Sequence, residues 1–97
     1  MGKISPTPAS EISVVLSQAL VNLFPGATMR VTVMALTVGE MIDALDAKWP
    51  GMGDRLRDSS PGVRRHINIF CDGQRGVLET PLRPGSEVFV LLAVSGG

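Results

Sequence analysis

Seven consecutive apolar residues, Val88 to Val94, are the feature of this sequence that most constrains its fold. The run is far too short to cross a bilayer, which takes about 20 residues in a helix. A strand that is apolar at every position is typical of the centre of a sheet with both faces covered. We therefore predict a central strand from Glu87 to Val94 and no membrane-spanning segment.

Three shorter segments alternate apolar and polar residues with a period of two, which predicts strands with one buried face. They are Ile12–Leu16, Met29–Val33 and Ile67–Cys71. The first two are predicted to form a hairpin around a long loop from Gln18 to Gly26. Asp72-Gly73 predicts a turn after the third, with a short returning strand within Gln74 to Val77.

One long helix is predicted after the second strand. Thr37 and Glu40 have the spacing of a capping box, in which each side chain accepts the backbone N–H of the other residue. Apolar residues then repeat at helical spacing, at Val38, Ile42, Leu45 and Trp49. Pro50-Gly51 ends the pattern, and a short helical turn is predicted from Met52 to Asp58.

This order of elements predicts an α+β fold, a mixed four- to five-stranded sheet wrapped around one main helix. That is the β-grasp arrangement of ubiquitin-like proteins, although element order alone also admits other α+β folds. We expect a disordered N-terminal arm at 1–10, because it has little apolar content. The β-grasp domain is predicted at 11–94, with a flexible tail at 95–97.

Composition excludes several classes of function. Nine basic residues balance nine acidic ones, so no net field attracts nucleic acid or a membrane surface. The single cysteine, Cys71, cannot form an internal disulfide, and we expect a cytoplasmic protein. Because Cys71 shares a strand face with Ile67 and Ile69, we interpret it as a buried hydrophobe, and we interpret His66 as a surface residue. We predict no metal site, no catalytic residues and no enzyme activity.

The last predicted strand leads into Ser95-Gly96-Gly97. Glycine has no Cβ, so such a tail can thread a passage too narrow for side chains. A free carboxylate is a poor electrophile, and acyl chemistry at Gly97 therefore needs activation, for which adenylation with ATP is the standard route. The sequence has no phosphate-binding loop of its own, so the activator is expected to be a partner.

These segments resemble the MoaD/ThiS family of ubiquitin-like sulfur carriers. The matching pieces are Thr37–Glu40, His66–Phe70, Leu82–Ser86 and Glu87–Gly97. Within the family the chain is most similar to the cysteine-biosynthesis carrier and the molybdopterin synthase small subunit. Leu92-Ala93 stands where the latter typically has Pro-Pro, which favours the cysteine type or a carrier of another kind.

The resemblance implies that a ubiquitin-activating-like enzyme adenylates Gly97, using ATP and a sulfur source. The product is a thiocarboxylate, which donates sulfur to a biosynthetic client in the cysteine, molybdopterin or thiamin pathway. Gly97 would be the modified residue and Gly96 its threading neighbour. Ser95, which precedes them, is our own candidate for the same threading tail. No bound cofactor is expected. The alternatives are a covalent protein modifier and a noncovalent subunit or adaptor.

Phe89 and Leu91 are the candidates for partner docking. They alternate with Val88, Val90 and Leu92, so one of the two rows faces the helix. A one-residue change of register exchanges the two rows, so that Phe89 and Leu91 face the helix and the valine row is exposed. In either case, one apolar row needs a cover that the single helix cannot supply.

Overall fold

A computed structural model of the chain describes residues 10–57 and 66–92. Within these ranges the chain forms five strands and three helices. In chain order they are β1 (Ser10–Leu16), α1 (Gln18–Val21), β2 (Arg30–Ala35), α2 (Val38–Lys48), α3 (Met52–Leu56), β3 (Ile67–Cys71), β4 (Gln74–Arg75) and β5 (Glu87–Leu92). None of these helices is long and apolar enough to span a membrane.

The strands form one mixed sheet in the order β2-β1-β5-β3-β4. β1 and β2 form the predicted antiparallel hairpin. β5 lies at the centre, parallel to β1 and antiparallel to β3. The predicted central position of the last strand and the predicted β-grasp fold are both confirmed.

The core lies between one face of the sheet and α2. On the sheet side, Ile12, Val14, Leu16, Val88 and Val90 are fully buried. The facing residues of α2 are equally buried, and they are Val38, Met41, Ile42 and Leu45. The helix covers this face only, so any cover for the opposite face has to come from outside the described chain.

The start of α2 follows the predicted cap with one difference. Thr37 Oγ1 accepts the backbone N–H of Glu40 at 3.2 Å, as expected. The Glu40 carboxylate accepts the N–H of Leu36 at 2.9 Å, one residue before the predicted partner Thr37. Both bonds satisfy N–H groups that lack intrahelical acceptors, so the predicted function of the cap is preserved.

Several predicted boundaries differ in the structure. The second strand, predicted at Met29–Val33, is β2 at Arg30–Ala35. The predicted loop from Gln18 to Gly26 contains α1, whose Leu20 is fully buried. β1 begins at Ser10, which was assigned to the arm, and its buried hydroxyl donates to the carbonyl of Leu82 at 3.4 Å. The other predicted arm residues and the tail at 95–97 lie outside the described residues, as do Asp58, Ala93 and Val94.

Candidate docking face and tail root

β5 presents different residues to the two faces of the sheet. Val88 and Val90 are fully buried against the helix, and Leu92 is partly buried against the same core. Phe89 points to the opposite face with 37% of its surface exposed, and Leu91 is half-buried there. The register in which Phe89 and Leu91 face outward is therefore the one that the chain adopts.

Neighbouring strands add two further apolar side chains to this face. Phe89 lies beside Val15 on β1 and directly opposite Phe70 on β3. Val15, Phe70, Phe89 and Leu91 together form what we call the outer-face patch. Large aromatic side chains supply much of the binding energy in protein interfaces, which suits this patch to a protein partner.

Charged and polar groups border the outer-face patch. Arg30, opposite Val15, forms an ion pair with Glu87 at 3.4 Å. Arg75, opposite Phe70, donates to the Asn68 side chain at 2.6 Å. An apolar centre with a polar, solvent-accessible rim is the usual anatomy of a protein interface.

The sequence reasoning identified Phe89 and Leu91 but missed Val15 and Phe70. The period-two patterns of β1 and β3 already placed Val15 and Phe70 on the faces opposite Ile12 and Ile69. The sequence alone does not reveal that β5 pairs with both β1 and β3, and this pairing brings the three segments side by side.

The tail begins immediately beyond this face. β5 ends at Leu92, and five residues, Ala93 to Gly97, follow in the sequence. The predicted tail residues Ser95, Gly96 and Gly97 lie outside the described part of the chain. Phe89 and Leu91 of the outer-face patch therefore lie on the strand that precedes the tail in the sequence.

Cys71 lies on the inner face, as the sequence predicted, and lines a cavity of about 400 Å³ near the β3–β4 turn. Burial raises the pKa of its thiol, and the negative charge of Asp72 raises it further. Both effects favour the unreactive protonated form. Within residues 10–57 and 66–92, no group of three or more His, Cys, Asp or Glu side chains is placed to hold a metal ion.

His66 is exposed at the start of β3, in agreement with its interpretation as a surface residue. It borders a cavity of about 220 Å³ whose other described lining residues are Leu20, Leu23, Arg55, Ile67 and Leu92. None of these side chains is a nucleophile or a carboxylate. The described lining therefore offers His66 no partner for nucleophilic catalysis.

Similarity to known proteins agrees with this arrangement. No family model matches the chain. The sulfur carrier protein CysO of Mycobacterium tuberculosis is 36% identical over 78 residues, which cover 74% of this chain and 84% of that protein. CysO of Mycobacterium bovis matches to the same extent.

Solved structures share the fold over nearly their whole length. The Amycolatopsis orientalis BexX/CysO complex contains a chain with a TM-score of 0.79 and 26% identity, covering 89% of this chain and 99% of that one. The crystal structure of M. tuberculosis CysO has a TM-score of 0.75 and 29% identity, covering 86% of this chain and 99% of that one. The crystal structure of SAMP1 from Haloferax volcanii has a TM-score of 0.77 and 25% identity, covering 91% of this chain and 100% of that one. Sequence and fold together show that the chain belongs to the family of ubiquitin-like sulfur carrier proteins of the MoaD/ThiS type.

Proposed function

We propose that this sulfur carrier bears its sulfur on the carboxyl carbon of Gly97, as a thiocarboxylate. The observation that carries the proposal is the 36% identity to the sulfur carrier protein CysO. It is supported by the outer-face patch, whose residues Phe89 and Leu91 lie on the strand that leads into the tail. The covalent-modifier and adaptor alternatives have no comparable support.

The proposed chemistry takes two steps, both on a partner enzyme. First, a carboxylate oxygen of Gly97 attacks the α-phosphorus of ATP, forming an acyl-adenylate and releasing pyrophosphate. A sulfur nucleophile such as hydrosulfide then attacks the carbonyl carbon, and AMP leaves with the bonding electron pair. No electrons are exchanged overall, so no external oxidant or reductant is needed. Adenylation makes the second step feasible because AMP is a far better leaving group than oxide.

The chain itself binds the adenylating enzyme and presents its tail to that enzyme's reaction centre. The outer-face patch docks on the adenylating enzyme through Phe89 and Leu91, and the small residues Ser95 and Gly96 thread the tail to the reaction centre. We infer that the chain is itself no enzyme and holds no cofactor, since the nucleotide and the sulfur source belong to the partner. This division of labour agrees with its relatives, which are named as carriers.

The client is proposed to be a biosynthetic enzyme that accepts sulfur, of the cysteine type that the CysO relatives indicate. The same docking face serves client and activator in turn, because both need access to one tail. The protein is proposed to act in the cytoplasm, where adenylating enzymes find ATP. Nucleic acid and membranes are not proposed as partners.

Intact-mass measurement tests the function. The protein is incubated with ATP, sulfide and the adenylating enzyme from the same organism, beside a variant that lacks Gly97. A mass gain that matches the replacement of one oxygen by sulfur, in the full chain alone, is expected. No gain with an enzyme shown to be active would contradict the carrier mechanism. Mass-shifted lysine conjugates in cell extracts would indicate the modifier instead.

A further inference from the structure

A serine side chain completes the pairing of β5 where the tail begins. The backbone N–H of Leu92 donates to Ser17 Oγ at 3.2 Å. The N–H of Ser17 in turn donates to the carbonyl of Val90 at 3.0 Å. Ser17 thus bonds to the Val90 carbonyl and to the Leu92 N–H, two backbone groups near the end of β5 that face β1.

The hydroxyl takes the place of a backbone carbonyl. In a regular parallel ladder, a residue that donates to Val90 accepts from Leu92 through its own C=O. The Ser17 carbonyl is engaged elsewhere, because it accepts the N–H groups of Leu20 at 3.0 Å and Val21 at 3.1 Å as α1 begins. Because α1 begins at this point, the Ser17 carbonyl is not available to continue the ladder with β5. The Ser17 hydroxyl accepts the Leu92 N–H in its place.

Ser17 does not use this hydroxyl in the way its position suggests. It is the N-cap of α1, where a serine side chain ordinarily accepts an N–H from the first turn of the helix. Ser17 makes no such cap bond. Its side chain therefore acts on β5 and not on the helix that it precedes.

The neighbouring strand β3 cannot replace this bond. Backbone groups along a strand point alternately to its two neighbours, and Val90 and Leu92 point theirs towards β1. Leu92 lies opposite Ile67 of β3 in a pair that exchanges no hydrogen bonds. Among the described residues, Ser17 Oγ is the acceptor for the Leu92 N–H, and its loss would free the end of β5.

We propose that Ser17 is a positioning residue for the tail, fixing the point and direction in which the chain leaves the sheet. The proposal rests on the proposed function of Gly97. The five residues from Ala93 to Gly97 span at most about 17 Å when fully extended. Because reaction rates are sensitive to placement on the scale of about 1 Å, loosening the root of so short a tether lowers the rate.

The test compares Ser17→Ala with Ser17→Thr, which keeps a hydroxyl, and with Ser13→Ala as the matched control on β1. Thiocarboxylate formation by the adenylating enzyme is followed at varied carrier concentration. We expect kcat to fall about fivefold in Ser17→Ala, the effect of one hydrogen bond, with KM unchanged because the outer-face patch is intact. Ser17→Thr restores kcat, and Ser13→Ala leaves it unchanged.

Amide hydrogen exchange at Leu92, measured by NMR, reports on the bond without any enzyme. It should accelerate in Ser17→Ala and remain slow in the other two variants. Unchanged exchange in Ser17→Ala would refute the bond, and faster exchange with normal kcat would refute the positioning role. Failure of the wild-type chain to be activated would instead refute the proposed function, and the positioning role with it. Ser17→Cys, whose sulfur is a weak acceptor, should show the same loss if Ser17→Ala folds poorly.

Discussion

Gly76 passes so close to Cys71 that a Cβ atom on Gly76 would lie 2.7 Å from the Cys71 Sγ. Real Cβ atoms do not approach sulfur so closely, so Gly76→Ala forces apart the thiol and the backbone that follows β4. We expect a loss of about 1–3 kcal/mol in the free energy of unfolding, the usual cost of overpacking. Urea denaturation measures it.

Cys71→Ala provides the control for this prediction, since it removes the sulfur atom. The double variant should recover part of the loss, giving a favourable coupling energy between the two positions. Additive losses would show that Gly76 is required for a reason other than its contact with Cys71.

Phe89→Ala should weaken docking without unfolding the protein. Phe89 is partly exposed at the centre of the outer-face patch, where interface aromatics contribute most to binding. We expect KM for the adenylating enzyme to rise about tenfold or more, with little change in kcat. Val77→Ala is the matched control, because Val77 is an exposed hydrophobe outside this patch. Equal effects of the two substitutions would argue against docking through the patch.

Protonation of Asp72 should make the protein less stable in acid. Its pKa is lowered chiefly by the hydrogen bond from the Glu87 backbone N–H, at 2.9 Å, and further by Ser86 and Arg83. A lowered pKa in the folded state gives stability that is present above the unfolded value, near about 3.9, and is lost as pH falls through the folded value. The free energy of unfolding is therefore expected to decrease below about pH 4.

Asp72→Asn isolates this contribution. Asparagine keeps an acceptor oxygen and tolerates the positive φ of 50° at this position. Urea denaturation between about pH 6 and about pH 2 should show a shallower decrease for the variant. Identical pH profiles would mean that other carboxyl groups account for the acid sensitivity.

Asp46 should matter more to stability than its neighbour Asp43 on α2. The Asp46 carboxylate accepts the backbone N–H groups of Gly51 at 3.0 Å and Gly53 at 2.9 Å, joining α2 to the start of α3. Asp46→Ala leaves both donors without this acceptor, and we expect a loss of about 1–3 kcal/mol. Thermal and urea unfolding measure the effect.

Asp43→Ala is the matched control, because Asp43 pairs with Arg57 at the exposed surface. Surface ion pairs contribute at most about 1 kcal/mol. A larger loss for Asp43→Ala than for Asp46→Ala would reverse the ranking and contradict this account of the α2–α3 junction.

Much of the fold could be predicted because its signals are local. The alternation in β3 gave its observed bounds, Ile67–Cys71, and the cap at Thr37 gave the start of α2. The short helix α1 was missed because four residues are too few for a periodic pattern. The bond from the Leu92 N–H to the Ser17 hydroxyl is visible only once β1 and β5 are paired.

The candidate site was predictable only in part. An apolar row at Phe89 and Leu91 follows from the sequence of β5, but which row faces outward depends on packing against α2. Val15 and Phe70 join the row through contacts between distant segments, and sequence reasoning without strand order cannot supply these contacts. The tail was identified from Ser95-Gly96-Gly97 after the last apolar strand and from the resemblance to known carriers, and its role stays a prediction.

The bond between Ser17 and Leu92 joins residues 75 positions apart, and it closes only after β5 has inserted between β1 and β3. Contacts of such long range form late, because the entropy of closing a large loop has to be overcome first. An incompletely folded chain has the same five terminal residues, but the strand that precedes them is not yet held by the bond to Ser17. Under the proposed function and the proposed role of Ser17, activation of the tail is therefore expected to depend on completion of folding, and misfolded copies are expected to be poor substrates for the adenylating enzyme.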